Sequence, residues 1–444
     1  QATINRFFLS TMSNRDSGDG AGRDDLGGAE MRSIESVEDV KRMILFGTLG
    51  LGANWVLPTV LLQQVPWFSE HLPEELCVAT YLNVAAACAA SCSFLYYYLA
   101  EHGYGVPRVS VPSLLILSFV ASVYVALTYN YTIHGNSYFL FSGHYFGCIV
   151  GAFSAIIFNP FMAQYEARFI SSARCGGSTA ILISAMLGLI QSPGQNARFS
   201  PTLFILLFSV IFIFPLFCYR IIVHEKIGLR PSSPDHDSGA YTDDKLILST
   251  AIVRSDEGKL SICSDRNSLE SESDESCAGG QYMWTEPWFN YTLPYALSIG
   301  WVNYNTWGML SAIAPFSFDF AAVDVSEYLL LALAYEIGAF ALVLGDFSTI
   351  YIRLPFKIIL PIFTVCSFMV YMAALHVDGF STPASGPLLV VCFSLGRFIE
   401  AHVLTSSFRA IAGNLPPGQR DGASKMLGLF DQISSTLGII TSTT

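Results

Sequence analysis

One apolar stretch of the chain carries side chains that suit a ligand site inside a membrane. In the run FGTLGLGANWVLPTVLLQQVPWF, Trp55 and Thr59 lie four residues apart and share one helical face. Gln63 and Gln64 add amides at a depth where lipid rejects them, so we expect them to face protein or a water-filled cavity. Two alternatives stay open: the glutamines join neighbouring helices, and Trp55 belongs to an interfacial aromatic belt.

Two later apolar runs contain ionisable side chains. Arg397 and Glu400 are three residues apart, so they lie on one helical face and can pair. Asp431 stands beside Gln432 deep in the last run, where a proton- or substrate-linked role is possible. An ionisable group inside a membrane is a candidate functional group. The alternative for Arg397 and Glu400 is a structural ion pair that locks the helices together.

Three other ionisable residues interrupt apolar runs. Glu336 and Arg174 are further candidates for functional groups inside the membrane. Arg174 and Asp346 lie near the predicted ends of their runs, so we expect their side chains to reach towards the interface. That position favours a structural role for both.

The stretch GWVNYNTWGML combines amides with aromatic rings. Asn303, Asn305 and Trp307 lie close together between Gly300 and Gly308, where we expect a helix irregularity. Aromatic faces plus amide hydrogen bonds suit a flat, uncharged ligand with several acceptors. A bundle of aromatic-rich helices without a ligand would show the same composition.

Composition limits the class of protein that can position these residues. The chain has 444 residues, of which 52% are hydrophobic and only 13% charged, and its net charge is −12. An average soluble domain is about 25% charged, so several soluble domains are excluded. The acidic balance excludes a nucleic-acid-binding protein, which needs a basic face. The ten cysteines include no CxxC pair and the chain has no P-loop, so we expect no metal, no cofactor, no disulfide framework and no ATP-driven transport.

The long apolar runs predict an all-α polytopic membrane protein with about 11 transmembrane helices, arranged six plus five like a two-bundle secondary transporter. A segment between the two sets is polar, acidic and Ser-rich, and it holds more than half of the net charge of −12. The predicted spans are 43–66, 75–100, 110–132, 138–163, 168–192 and 201–223, then 290–314, 326–346, 350–375, 384–408 and 421–442.

These spans define four predicted parts: a disordered cytoplasmic segment (1–42), a six-helix bundle (43–223), a disordered acidic loop (224–288) and a five-helix bundle (289–444). Arg198 is the single basic residue in one set of short loops, whereas the other set is rich in Lys and Arg. That bias places the N-terminus and the acidic loop in the cytoplasm and the C-terminus outside. The start at Gln1 and the end at Thr444 without a tail favour missing terminal residues.

Several sequence blocks resemble the eukaryotic riboflavin transporter family (the solute carrier family 52 type). The first block is a Trp, a Pro eleven residues later, an LPE turn and a YL pair, here Trp55, Pro66, Leu72, Pro73, Glu74, Tyr81 and Leu82. The second block comprises residues 158–162 (FNPFM), 169–170, Gly176, 187–191 (LGLIQ) and the entry 198–201. Gln432 and Gly438, with Arg409 before them, match the last family block loosely.

The chain departs from the family pattern at several polar positions. Thr59 replaces an Asn, Leu62 replaces a second Trp, Gln64 replaces a Glu, and Gly177 replaces a Gln. The transporter class survives these changes. Because they alter residues expected to line the cavity, a nucleoside or a related heterocycle remains an alternative cargo.

The resemblance implies a riboflavin transporter of the plasma membrane that works by alternating access, without sodium, and is either facilitative or pH-sensitive. It is not an enzyme and has no catalytic residue, and its partners are riboflavin and the lipid bilayer. The alternative from another class is a membrane receptor or scaffold that uses the acidic loop. We expect the substrate site to draw on Trp55, Thr59, Gln63, Gln64, Glu74, Asn159, Asn303, Asn305, Trp307, Arg397, Glu400, Asp431 and Gln432.

Overall fold

The long apolar runs fold as α-helices, because a chain in lipid must satisfy its backbone polar groups internally. A computed structural model describes residues 37–52, 55–101, 109–191, 197–228, 291–322 and 327–443. Before the acidic segment the helices are α1 (Val37–Gly50), α2 (Val56–Leu62), α3 (Val65–His71), α4 (Val78–Glu101), α5 (Val111–Thr128), α6 (Tyr138–Ala163), α7 (Ala167–Gln191), α8 (Pro201–Ser209) and α9 (Ile213–His224).

The helices after the acidic segment begin with an interrupted one. A π-helical turn (Tyr304–Leu310) joins α10 (Leu293–Asn303) to α11 (Ser311–Ala321). The remaining helices are α12 (Glu327–Tyr351), α13 (Phe356–Ala374), α14 (Ser385–Asn414) and α15 (Pro417–Thr443). π-Helical turns are rare and frequently occur at functional sites, and this one overlaps the predicted irregularity between Gly300 and Gly308.

Eight helical stretches in the described part of the chain are long and apolar enough to cross a membrane. This confirms an all-α membrane fold. Three predicted spans are not among the eight, so the total of eleven stays a prediction. The 43–66 run is divided among α1, α2 and α3, the 290–314 run is interrupted by the π-helical turn, and the 421–442 run lies in α15, which carries several charges. The eight are 78–99, 111–128, 138–163, 167–191, 201–224, 329–351, 356–374 and 385–414.

The first helix begins earlier than the sequence predicts. Helix α1 starts at Val37, whereas residues up to 42 were expected to be unstructured. Glu38 lies in its first turn, where a carboxylate is favourable, and its carboxylate lies 3.8 Å from Lys41 and 3.7 Å from Arg42 on the same helix face. Residues 1–36 and 229–290, which hold most of the predicted N-terminal segment and acidic loop, lie outside the described residues.

Two helix crossings bring backbone directly against backbone. Gly176 of α7 faces Gly47 of α1 so closely that a Cβ at Gly176 would lie 1.8 Å from the Gly47 carbonyl oxygen. Gly308 of the π-helical turn faces Gly438 of α15, and a Cβ at Gly308 would lie 2.4 Å from the Gly438 Cα. Small residues allow such close approach between membrane helices, where packing rather than water exclusion drives association.

Helices from the two sides of the acidic segment also pack on each other. Ile181 and Ala185 of α7 form an apolar cluster with Ala339 and Leu342 of α12 and Ala401 of α14. The described residues between 37 and 443 form one compact unit, and the division into a six-helix and a five-helix bundle stays a prediction. This arrangement encloses the site between α7, α12, α14 and α15.

Candidate functional site

A polar cavity, which we call the central cavity, lies among helices from both sides of the acidic segment. It contains about 640 Å³ of empty space, counting the part open to solvent, and the centre of a water-sized molecule can occupy about 70 Å³ of it. Its lining comprises Trp55, Val56, Gly151, Ala155, Arg174, Gly177, Ser178, Ile181, Trp307, Leu342, Asp346, Glu400, Ala401, Leu404 and Asp431.

Four ionisable residues face the central cavity, each from a different helix. They are Arg174 on α7, Asp346 on α12, Glu400 on α14 and Asp431 on α15, and none is more than 9% exposed. Burying a charge is costly unless other groups satisfy it. The partners of each residue therefore define what the cavity can bind.

Glu400 is held on both carboxylate oxygens. Arg397 Nη1 donates to Glu400 Oε2 at 2.8 Å, and Trp307 Nε1 donates to Glu400 Oε1 at 2.5 Å. The Arg397 guanidinium carbon also lies 4.3 Å from the centre of the Trp307 ring, which places the cation over the aromatic face. The pairing predicted from the spacing of Arg397 and Glu400 is therefore present, and Trp307 completes a three-residue cluster.

Asp431 is held by two amides. Asn303 Nδ2 donates to Asp431 Oδ1, and Gln432 Nε2 donates to Asp431 Oδ2 at 3.4 Å. Within the described part of the chain, the side-chain oxygens of Asn303 and Gln432 have no hydrogen-bond partner although both residues are fully buried. These two predicted site residues therefore lie directly behind Asp431 and fix its orientation towards the cavity.

Asp346 and Arg174 lie in the cavity wall rather than at an interface, contrary to the expectation from sequence. Asp346 accepts hydrogen bonds from Ser178 Oγ and from Thr405 Oγ1, the latter at 2.5 Å. For Asp346 the physical reason is helix length, because α12 continues to Tyr351 beyond the predicted end at 346 and places Asp346 about 7 Å inside the helix at 1.5 Å per residue. Helix α7 begins at Ala167, close to the predicted start, and Arg174 already lies about 10 Å inside it.

The stretch around the π-helical turn does not form one amide pocket. Asn305 turns away from the cavity, where its Oδ1 accepts from Tyr371 Oη at 2.5 Å and its Nδ2 donates to the Trp301 carbonyl at 2.8 Å. Trp307 lines the cavity, and Asn303 reaches it only through Asp431. Residues two apart on a helix point to nearly opposite sides, so Asn305 faces away from Asn303 and Trp307, and a cluster in sequence need not be a cluster in space.

The first predicted span contributes Trp55 to the cavity, while Thr59 and Gln63 form hydrogen bonds elsewhere. Thr59 Oγ1 donates to the Trp55 carbonyl at 2.8 Å. Gln63 Nε2 donates to the Ile181 carbonyl at 3.3 Å, and its Oε1 accepts from Ser184, so Gln63 joins α7 to the chain before α3. This is the helix-joining alternative. Gln64 is fully buried, and both its amide atoms lack a partner among the described residues.

Glu74 lies outside the cavity, at the start of α6. Its Oε1 accepts from the Ser137 backbone N–H at 2.5 Å, and its Oε2 accepts from the Ser137 hydroxyl at 2.9 Å. Satisfying free N–H groups at a helix start stabilises the helix. Glu74 therefore fixes the entry to α6 rather than contacting a ligand in the cavity.

Asn159 lines a second, smaller space, which we call the inner pocket. It contains about 270 Å³ of empty space, counting the part open to solvent, and the centre of a water-sized molecule can occupy only about 10 Å³ of it. Its lining comprises Phe158, Asn159, Met162, Ala163, Ile170, Ala173, Arg174, Phe408 and Ser424. Asn159 Nδ2 donates to the Ala155 carbonyl at 3.1 Å. Arg174 lines both the inner pocket and the central cavity, so the two spaces meet at its side chain.

Sequence reasoning missed Arg174, Asp346 and Ser178 as lining residues. A signal was present in the run Gly176-Gly177-Ser178, because small residues next to an arginine leave room beside its helix. In the part of the chain that the structure describes, no group of three or more His, Cys, Asp or Glu side chains could hold a metal ion.

A helical membrane fold with ionisable residues around a cavity among its helices is typical of membrane transporters. The model of one transporter family matches residues 40–443, and its description is solute carrier family 52, riboflavin transporter. The chain belongs to this family. Riboflavin transporter rft-2 of Caenorhabditis elegans is 24% identical over 452 residues, which cover 89% of this chain and 92% of that protein.

Two solved structures are also similar to the chain. The proton:xylose symporter XylE of the major facilitator superfamily, bound to 6-bromo-6-deoxy-D-glucose, aligns with a TM-score of 0.49 and 12% identity. The alignment covers 90% of this chain and 88% of XylE. A variant of the nucleoside transporter NupG aligns with a TM-score of 0.45 and 11% identity, over 90% of this chain and 91% of NupG.

Proposed function

We propose that this chain carries riboflavin across the plasma membrane into the cell, by alternating access of the central cavity to the two sides. The observation that carries the proposal is the central cavity itself. Helices α7, α12, α14 and α15 each contribute one ionisable residue to it, in a chain that belongs to a riboflavin transporter family. The ring of Trp307 and the ring of Trp55 line the same space, so aromatic faces and polar groups are available together.

We further propose that transport is independent of sodium and is facilitative or pH-sensitive. The N-terminus and the acidic segment lie in the cytoplasm and the C-terminus lies outside. The Lys and Arg bias of the short loops supports this orientation.

The test is uptake of radiolabelled riboflavin by cells that express the chain, with surface labelling to measure how much protein reaches the plasma membrane. We expect saturable uptake that persists when choline replaces sodium. Unlabelled lumiflavin should compete, and unlabelled uridine should not. Competition by uridine alone would instead assign a nucleoside as the cargo, and no saturable uptake by correctly located protein would refute transport of riboflavin.

A matched pair of variants on α12 tests whether the central cavity is the transport site. Asp346 lines the cavity and accepts two hydrogen bonds, whereas Glu336 is half-buried on the same helix and does not line the cavity. Both Asp346→Asn and Glu336→Gln replace a carboxylate by its amide. We expect Asp346→Asn to reduce uptake per surface molecule at least about tenfold, because one amide NH2 would face the donating Ser178 or Thr405 hydroxyl. Equal uptake by the two variants would contradict this site.

A further inference from the structure

Arg174 is the cation of the central cavity whose hydrogen-bonding capacity is not used up. Its side chain is nine-tenths buried on α7, and its Nη2 has no hydrogen-bond acceptor among the described residues. The guanidinium carbon lies 4.6 Å from the centre of the Phe408 ring, so one face of the cation rests on an aromatic surface. Native proteins pair nearly all buried donors, and the exceptions often mark functional sites.

The surrounding carboxylates do not pair with Arg174. Asp346, Asp431 and Glu400 are close enough to attract the guanidinium electrostatically. No carboxylate of the described residues, however, forms an ion pair with Arg174 within 4.0 Å. Each of the three is already held by other donors: Asp346 by two hydroxyls, Asp431 by two amides and Glu400 by Arg397 and Trp307. Arg174 is therefore held in the cavity by electrostatic attraction without a direct ion pair, and its Nη2 donor is left without an acceptor among the described residues.

A second unpaired donor, the Ser424 hydroxyl, belongs to the same pocket. Ser424 of α15 lines the inner pocket together with Arg174, and its Oγ has no partner within the described part of the chain. Phe158 and Phe408 add aromatic surface to the pocket wall. Two donors beside aromatic faces form a site for the acceptor edge of a flat ring system.

Charge decides which acceptor suits this site. Arg174 lines the central cavity and Arg397 pairs with Glu400 at its wall, so these two cations are outnumbered by the three lining carboxylates Asp346, Glu400 and Asp431. A ligand with a full negative charge would meet this surplus at low dielectric, where like charges repel strongly. A neutral carbonyl oxygen accepts from a guanidinium without that cost, and the planar fork of arginine can serve two neighbouring acceptors at once.

We propose that Arg174 and Ser424 are specificity-determining donors of the cargo site and that they bind the carbonyl-bearing edge of a neutral, planar heterocycle. For riboflavin this edge is the dioxopyrimidine end of the isoalloxazine ring. This assignment rests on the proposed function. It places the ring at the junction of the inner pocket and the central cavity, with the ribityl chain directed away from Arg174.

The test compares riboflavin with lumiflavin, which has the same ring system but a methyl group in place of the ribityl chain. For Arg174→Gln we expect the riboflavin concentration at half-maximal uptake to rise roughly tenfold to a hundredfold, as for a lost hydrogen bond from a charged group. The lumiflavin concentration that halves uptake should rise by the same factor. Arg174→Lys keeps the charge but not the fork, and should fall between Arg174→Gln and the wild type.

Ser424→Ala keeps the proposal testable if Arg174 variants fail to fold, because the Ser424 hydroxyl has no protein partner to lose. We expect the riboflavin concentration at half-maximal uptake and the lumiflavin concentration that halves uptake each to rise roughly twofold to tenfold. The matched control is Ser407→Ala, since the Ser407 hydroxyl donates to the Val403 carbonyl at 2.7 Å and lines neither space. Ser407→Ala should leave both the riboflavin and the lumiflavin concentrations unchanged.

The results distinguish binding of the ring edge from binding of the ribityl chain and from a structural role. If riboflavin affinity falls in the Arg174 and Ser424 variants while lumiflavin inhibition is unchanged, the two residues bind the ribityl chain and the proposed edge is wrong. If neither ligand is affected by Arg174→Gln or Ser424→Ala, both residues are structural. Quenching of flavin fluorescence by purified protein gives the same affinities without transport. Failure of the wild type to take up or bind riboflavin would refute the proposed function itself.

Discussion

The crossing of α1 and α7 allows a stability prediction whose magnitude follows from one distance. In Gly176→Ala the new Cβ would lie 1.8 Å from the Gly47 carbonyl oxygen, which is backbone and cannot rotate away. The helices must separate by roughly 1.5 Å or more before carbon and oxygen reach ordinary contact. Overpacking of this kind costs about 1–3 kcal/mol, which lowers the folded-to-unfolded ratio by about 5- to 150-fold.

The matched control lies on the same helix. A Cβ at Gly188 would meet no atom within 4 Å, so Gly188→Ala introduces the same methyl group without a clash. Both substitutions add about 0.5–1 kcal/mol to the free energy of unfolding because alanine restricts the unfolded chain. The difference in stability between Gly176→Ala and Gly188→Ala therefore reports the clash at the helix crossing alone. Thermal unfolding of the purified proteins in one detergent measures it.

We expect Gly176→Ala to melt clearly below the wild type and Gly188→Ala to melt at or above it. Gly50→Ala should reproduce the loss from the opposite helix, because its Cβ would lie 1.8 Å from the Ala173 carbonyl oxygen. Equal melting temperatures for Gly176→Ala and Gly188→Ala would refute the reasoning, since they would show that α1 and α7 do not pack as closely as the structure describes.

Two further predictions concern hydrogen-bonded groups. Arg397→Gln leaves Glu400 buried without its cation, so we expect a loss of about 3–5 kcal/mol, whereas the double variant Arg397→Gln/Glu400→Gln should recover much of it; a double-mutant cycle of thermal unfolding measures the coupling, and strictly additive losses would contradict the pairing. Glu74→Gln should destabilise the entry to α6 by about 0.5–2 kcal/mol because the Ser137 N–H loses a carboxylate acceptor, and riboflavin affinity should stay unchanged; a changed affinity would place Glu74 in the cargo site.

The membrane fold could be predicted from sequence because long apolar runs have few alternatives in lipid. The positions at which those runs are broken could not be predicted from sequence. Helix α2 ends at Leu62 and α3 begins at Val65, inside a run that reads as one continuous span. Whether a Pro, Gly or Gln interrupts a membrane helix depends on which neighbours satisfy the freed backbone groups, and those neighbours are distant in sequence.

The candidate site could also be predicted only in part, where the residues involved are close in sequence. Arg397 and Glu400 are three residues apart on one helix, so their pairing could be predicted from helical geometry. Asn303 and Asp431 are separated by 128 residues, and no local pattern connects them. Sequence places a residue along a helix only to within a few positions. For Arg174 and Asp346 that uncertainty separates an interfacial residue from one in the cavity wall.

The proposed transport cycle makes different demands on the two faces of α7. Towards α1 the helix meets backbone at Gly47, so α1 and α7 are expected to move as one body. Towards α12 it contacts small and aliphatic side chains and forms two hydrogen bonds, one from Ser178 to Asp346 and one from Thr349 to Ser171 at 3.4 Å. Parting α7 from α12 in the proposed cycle would carry Arg174 away from Asp346. A bound heterocycle that engages the Arg174 guanidinium and the Ser424 hydroxyl would bridge α7 and α15, which gives the cargo differential contacts with the open and closed states, as any ligand-driven change requires.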